Sequence, residues 1–307
     1  MRIWLVMLGA MLGLLACGDS RQEAAPEALA DTHDSGSPEC LGSVGLCART
    51  YDEVSYFTSH NAMSNEEEGW FVPNHYIPVS AQLELGVRAL MLDIHIEAGD
   101  LMLCHGACIA GSEPLVPHLE GLRRFLEDNP TELLTLILES YAPASDVAEA
   151  FEAAGLDALA HAQSPDEPWP TVGALIESGG RLVVLSDEAQ GGPAWMHDVW
   201  AHAFETHFSV TFAEDLTCET NRGDVESPLF IFNHFLSTPF ADAGGAEAIN
   251  EREFVLSRAL ECWEAHGTRP HFITVDFTSL GDVAGAVDAL NQLKSPKDRS
   301  ERPARRR

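Results

Sequence analysis

Leu133-Leu134-Thr135-Leu136-Ile137-Leu138-Glu139 is an almost unbroken apolar run that stops at a carboxylate. A run this short, with no polar alternation, suits a strand covered on both faces, as in a parallel sheet flanked by helices. Upstream, Leu115, Leu119, Leu122 and Leu126 recur at helical spacing and Asn129-Pro130 closes the segment. Downstream, Ser145-Asp146 offers a cap ahead of Val147, Phe151 and Leu156. Thr171 then caps a turn holding Leu175 and Ile176 that ends at Gly179-Gly180. Further strands are expected at 54–59, 89–94, 101–104, 181–185, 229–232 and 272–276, with a weaker one at 208–212, and further helices at 253–266 and 282–293. Strand and helix alternate with about eight strands in all. This predicts an α/β single domain, a TIM-type (β/α)8 barrel, allowing for a distorted or incompletely closed ring.

The ends of the chain read differently. Met1-Arg2 precedes an apolar run at 3–16 that is of signal-peptide length and short for a membrane span. Leu14-Leu15-Ala16-Cys17 has the form of a bacterial lipoprotein cleavage site, with an ordinary signal peptide as the alternative. The expected organisation is a lipoprotein signal peptide at 1–16, an acylated Cys17 and flexible linker at 17–39, the barrel at 40–293 and a basic disordered tail at 294–307. Lipidation at Cys17 would hold an exported domain on a bacterial membrane, periplasmic or cell-surface, without spanning it. Six cysteines remain once Cys17 is set aside. Export permits disulfides, and the short spacings favour Cys40–Cys47 and Cys104–Cys108, which leaves Cys218 with Cys262. A zinc site at Cys104 and Cys108 competes weakly, since no second close pair completes four ligands.

The net charge of −30 understates the acidity of the body, because the tail is basic. Such a body repels nucleic acid and is expected to act as a monomer. It also repels a phosphate unless a local positive charge offsets the field.

In a parallel barrel, chemistry sits at the carboxyl ends of strands. The expected strands run into His60-Asn61, Asp93 and His95, His105-Gly106, Glu139, Asn233-His234 and Asp276. One such residue is ordinarily just the first of a loop; six together converge on one mouth. Two histidines can serve as general base and general acid. Carboxylates with an Asn amide oxygen are hard ligands for Ca²⁺ or Mg²⁺. No Gly-x-Ser-x-Gly elbow, P-loop or Gly-x-Gly-x-x-Gly is present.

Ser55-Tyr56-Phe57-Thr58-Ser59-His60-Asn61, Gly86-Val87-Arg88-Ala89-Leu90-Met91-Leu92-Asp93 and Leu103-Cys104-His105-Gly106 resemble the X region of phosphatidylinositol-specific phospholipases C. They look closest to the plant, fungal and bacterial PLC-like branch. The likeness continues through Asn129-Pro130-Thr131-Glu132, Trp169-Pro170-Thr171, Cys218-Glu219-Thr220-Asn221-Arg222, Asn233-His234-Phe235 and Val275-Asp276-Phe277, covering about residues 50 to 280. The resemblance implies His60 as general base, His105 as general acid and Asp276 as the carboxylate orienting His60. Asn61, Asp93 and Glu139 match three calcium ligands of the metal-dependent group, so the expected cofactor is a divalent cation, Ca²⁺ ahead of Mg²⁺. The arginine of the metal-independent group is replaced by Asp93. One departure stands out: Met91 occupies the place of a further acidic ligand. His95 either substitutes for that ligand or faces substrate, and Asn233 and His234 are candidates for headgroup binding, with burial inside the barrel as the alternative for His234.

The expected activity is cleavage of a phosphodiester, a lipid or inositol headgroup, at a membrane surface. Glycerophosphodiesterase or sphingomyelinase-D-like activity on the same barrel is the enzymatic alternative. A catalytically weak headgroup- or glycan-binding barrel is the other.

Overall fold

The computed structural model describes residues 39–237 and 240–293. The expected signal peptide, the Cys17 lipidation site and the basic tail lie outside the described residues. Eight strands run parallel: β1 Tyr56–Ser59, β2 Ala89–Glu97, β3 Leu134–Ser140, β4 Leu182–Ser186, β5 Met196–Asp198, β6 Ala203–Thr206, β7 Leu229–Asn233 and β8 Phe272–Val275. Each pairs with its neighbour in the chain, and β8 returns to pair with β1, except that β5 and β6 share no ladder among the described residues. The barrel is therefore incompletely closed. Its gap is crossed by the one-turn helix α5, Val199–His202.

Two of the expected strands are not barrel members. Asp100–Leu103 is the antiparallel return arm of a hairpin on β2. Its two-residue turn, Ala98-Gly99, has φ of 53° and 96°, the left-handed pair such a tight turn requires. Residues 208–212 form no strand. Their place in the ring is taken by β5 and β6, each too short and too polar (Met196-His197-Asp198, Ala203-Phe204-Glu205-Thr206) to carry an apolar signature.

The barrel strands alternate strictly between two environments. Leu90, Leu92 and Ile94 of β2, Leu134, Leu136 and Leu138 of β3, and Phe230 and Phe232 of β7 pack outward. They meet the helices α2 Leu115–Asp128, α3 Ala144–Ala154, α7 Arg252–His266 and α8 Val283–Gln292, and α2 contributes the Leu115, Leu119, Leu122 and Leu126 face read from the sequence. Tyr56, Ala89, Ile137, Val183, Leu185, Leu229, Ile231 and Phe272 point inward and fill the lower barrel around Tyr51 and Trp169. Continuing that inward parity upward gives His60, Asp93, Glu139, Asp187, Glu205, Asn233 and Asp276 at the carboxyl mouth. The apolar floor excludes water, and the polar upper layer is where the chemistry must lie.

All three disulfides pair as the spacings suggest: Cys40–Cys47, Cys104–Cys108 and Cys218–Cys262. The last ties the segment between β6 and β7 to α7. Closing 44 residues, it restricts the unfolded chain by about 4 kcal/mol on a chain-entropy account.

Candidate active site

β1 ends at Ser59, and the backbone N–H of His60 still donates to Val275 of β8 at 3.0 Å. That ladder sets His60 beside Asp276, one residue beyond β8. His60 Nδ1–H donates to Asp276 Oδ1 at 2.9 Å, and Asn74 Nδ2 donates to the same oxygen at 2.9 Å. The ring stacks on Phe235, with centroids 3.8 Å apart and planes 11° from parallel. With Nδ1 committed, Nε2 carries the free lone pair, and it accepts from Asn61 Nδ2 at 3.2 Å. Burial lowers the proton affinity of His60, but the adjacent Asp276, helped by Asp93 and Glu139, outweighs it and the pKa is raised. The geometry is that of an imidazole oriented, and made more basic, by a buried carboxylate.

His75 supports this arrangement from below. It is fully buried, donates from Nε2 to the His60 carbonyl at 2.7 Å and accepts the Thr278 N–H on Nδ1 at 3.3 Å. Burial holds its pKa down to about 4, so the ring is neutral, as this hydrogen bonding requires. Asn61 and Phe277, flanking the pair, both have φ of 48°. Asn tolerates that left-handed backbone. Phe277 does so at a cost of order 1 kcal/mol, borne where the chain turns out of the mouth.

His105 reaches the mouth by a route the sequence does not show. It does not cap a barrel strand; the hairpin on β2 folds back until Cys104 N–H donates to Asp93 O at 3.2 Å. The Cys104–Cys108 bridge then closes the loop that carries His105. The ring is exposed. The surrounding protein lowers its pKa by desolvation, and His60 lowers it further, against the opposing pull of Asp276 and Glu139. His60 acts on His105 through its charge, but His105 does not line the cavity that holds His60.

Asp93 and Glu139 are register partners on adjacent strands. Asp93 is 8% exposed, and burial together with the charge of Glu139 pushes its pKa up to about 7. Asp187, at the end of β4, is also raised, by desolvation first. Tyr141 donates its hydroxyl to Glu139 and stacks on His95, centroids 4.4 Å apart. His95 Nε2 is buried without a hydrogen-bond partner. Asn61, Asp93 and Glu139 all line one cavity of about 100 Å³, with Met91 beside them. Among the described residues, no three His, Cys, Asp or Glu side chains are grouped as a metal site.

Asn233 lines the same cavity, but its amide nitrogen is committed to Glu205 Oε2 at 3.0 Å and the Thr206 carbonyl at 2.8 Å. His234 is elsewhere. It is fully buried on the outward parity of β7, bonded to the Ile249 carbonyl and to Arg258, and does not line the cavity. That is the buried alternative, and alternation along β7 was the signal for it. Sequence reading passed over Asn74, His75, Asp187, Glu205, Arg222 and Phe235. Asp187 repeats the pattern of an apolar strand ending in a carboxylate and was legible; the others depend on contacts from distant segments. A larger hollow of about 610 Å³ lies outside the barrel, between α1 (Val79–Glu84) and α2, and none of these mouth residues lines it.

An open parallel barrel with a carboxylate-tied histidine at its carboxyl mouth defines the general class, an α/β barrel with acid–base potential. The chain belongs to the PI-PLC X family, whose model (PI-PLC X 1) matches residues 46–291. Among curated relatives, an uncharacterized secreted protein of Arthroderma benhamiae is 26% identical over 87% of this chain, which spans 66% of that relative's length. A PI-PLC X domain-containing protein of Arabidopsis thaliana is 26% identical over 92% of this chain and 70% of its own. Among solved structures, a mutant phosphatidylinositol-specific phospholipase C of Staphylococcus aureus superposes with a TM-score of 0.55 at 12% identity. That superposition covers 83% of this chain and 98% of that one. At that identity the likeness concerns the fold.

Proposed function

We propose that this protein is an exported phosphodiesterase of the phospholipase C type, acting on a phospholipid or inositol headgroup with His60 as general base and His105 as general acid. The observation that carries the reading is the His60–Asp276 pair, with Nε2 of His60 turned to the cavity. A hydroxyl next to the phosphorus loses its proton to His60 Nε2 as its oxygen bonds to phosphorus. The bond to the leaving oxygen breaks, and that oxygen takes a proton from His105. The products are a cyclic phosphate and a free alcohol, and the internal hydroxyl reacts far faster than dilute water because it is already in place.

In the free protein the proton affinities are ordered the other way, raised at His60 and lowered at His105. A phosphodiester anion beside His105 raises its affinity. Neutralising Asp93 and Glu139 removes part of what raises His60. Both changes favour the working protonation states.

Asn61, Asp93 and Glu139 suit a divalent cation, Ca²⁺ ahead of Mg²⁺: they offer hard oxygen donors, and burial first, then the charge of Glu139, push the pKa of Asp93 up to about 7, a penalty a cation would offset. When bound, the cation supplies positive charge to the phosphoryl oxygens. Met91 in the cavity favours, as a second reading, a barrel that binds a headgroup and cleaves it poorly. Three disulfides suit an oxidising compartment, and the secreted relative supports export. An anchor at Cys17 is part of the same proposal; Cys17→Ser would then move the protein from the membrane to the soluble fraction.

A panel of phosphodiester lipids, with and without Ca²⁺ and followed by phosphorus resonance, tests the function. A cyclic inositol phosphate is the expected product. Glycerol phosphate or ceramide phosphate would assign the protein to the glycerophosphodiesterase or sphingomyelinase-D-like chemistry instead.

A further inference from the structure

Among the described residues that line the cavity, Arg222 carries the one permanent positive charge. It shares the cavity with the acidic side chains of Asp93, Glu139 and Asp187, and its guanidinium is built in. The guanidinium carbon lies 4.5 Å from the ring centroid of Trp200 and 4.7 Å from that of Phe208. Nε donates to Glu205 Oε1 at 2.5 Å, and Glu205 is itself 3% exposed. Asn221 and Asn233 donate to the two oxygens of Glu205, so this carboxylate is saturated and its role is to hold the arginine.

The backbone is fixed as tightly. Thr220–Arg222 is an antiparallel strand on β6, and Gly223 follows with φ of 81°. A Cβ at Gly223 would stand 2.3 Å from the Ala203 carbonyl. Only glycine lets the chain press this closely onto β6, and that contact sets where Arg222 sits. The side chain keeps 45% of its surface exposed. With Nε used by Glu205, the two terminal nitrogens remain as a planar fork, the geometry that matches two oxygens of a phosphate.

We infer that Arg222 is the anion-binding residue of this cavity and grips the non-bridging oxygens of a phosphate group. The aromatic pair and Glu205 preorganise the guanidinium, so little side-chain freedom is lost on binding. The phosphodiester as the source of that phosphate rests on the function proposed above. The anion site itself rests on the charge and geometry of Arg222 alone.

The test uses the full-length protein and inorganic phosphate as probe, in buffer containing a chelator, with binding read by phosphorus resonance and in parallel as competition against phosphodiester cleavage. Wild type should bind phosphate. Arg222→Met should weaken binding about 10–100-fold, the worth of a charge-assisted contact, and Arg222→Lys should fall between, retaining charge without the fork. Because Arg222→Met leaves Glu205 buried without a counter-charge, Arg222→Met/Glu205→Gln restores a neutral site; it should melt like wild type and still bind phosphate poorly. Arg124→Met, an exposed residue on α2, controls for net charge and should change nothing. The inference is overturned by a wild type that does not bind phosphate, by an Arg222→Met that binds normally, or by recovery of binding in the double variant. Equal weakening in Arg124→Met would overturn it too. Phosphate binding that depends on Arg222 in a protein that cleaves no phosphodiester would sink the enzymatic reading and leave the anion site standing.

Discussion

Asp276→Asn removes one negative charge from beneath His60 while leaving the shape of the side chain almost unchanged. In most carboxylate–histidine pairs such a change also lets the amide turn its nitrogen toward the ring, which inverts the tautomer and costs about 10⁴ in rate. Here the turn is opposed, because Asn74 Nδ2 donates to the oxygen that accepts from His60. An asparagine at 276 must keep its oxygen toward both donors, so His60 stays protonated on Nδ1 and its lone pair still faces the cavity. Only the charge is lost. A charge-assisted hydrogen bond exceeds a neutral one by about 1–2 kcal/mol, and kcat/KM should therefore fall about 5–30-fold. The acid limb of the pH–rate profile should also move to lower pH, since the carboxylate that raises His60 is gone. Asn74→Ala combined with Asp276→Asn frees the amide to rotate and should approach the 10⁴-fold loss. The assay is kcat/KM against pH on the substrate found by the lipid panel, with thermal melts to establish folding. An Asp276→Asn variant as slow as the double variant, or an acid limb that does not move, would refute the reasoning.

Three further outcomes are expected. His60→Ala and His105→Ala should each abolish cleavage; His105 is exposed, so its variant should melt with wild type, and near-full activity in either would remove the assigned mechanism. Chelator should abolish activity and Ca²⁺ restore it, with Asp93→Asn needing more Ca²⁺ than wild type; indifference to chelator would place the phosphate on Arg222 alone. Stability should fall as pH drops from 6.5 toward 4. Burial holds His75, His197 and His271 down to about 4 and His234 to about 3, so these rings are neutral when folded and take protons when unfolded. Each contributes on the order of 3 kcal/mol at neutral pH, present above 6.5 and lost on acidification. Asp93, raised to about 7, acts in the opposite sense across this range but is outnumbered, and the raised pKa of His60 changes stability only above 6.5. A urea midpoint unchanged between pH 7 and pH 5 would contradict this.

Local periodicity alone was enough to read β2, β3, β4, β7 and β8, the helical face of α2 and the polar residues beyond each strand. A buried strand and an amphipathic helix write their environment into every second or every third and fourth residue. The same alternation carries Asp93 and Asn233 inward, but sequence reading did not apply it to His234, which it grouped with Asn233 as a headgroup candidate and which lies buried on the outward side. The short disulfides were legible for a similar reason, since few other partners lie within reach. Tertiary structure alone decided that β5 and β6 join the barrel as the strands flanking its gap, that a returning hairpin carries His105, and that Asn74, Phe235 and Arg222 meet residues far away in the chain. Those contacts come from closing a sheet on itself. Closure joins residues 60 and 276 through a hydrogen-bond ladder that no local pattern records.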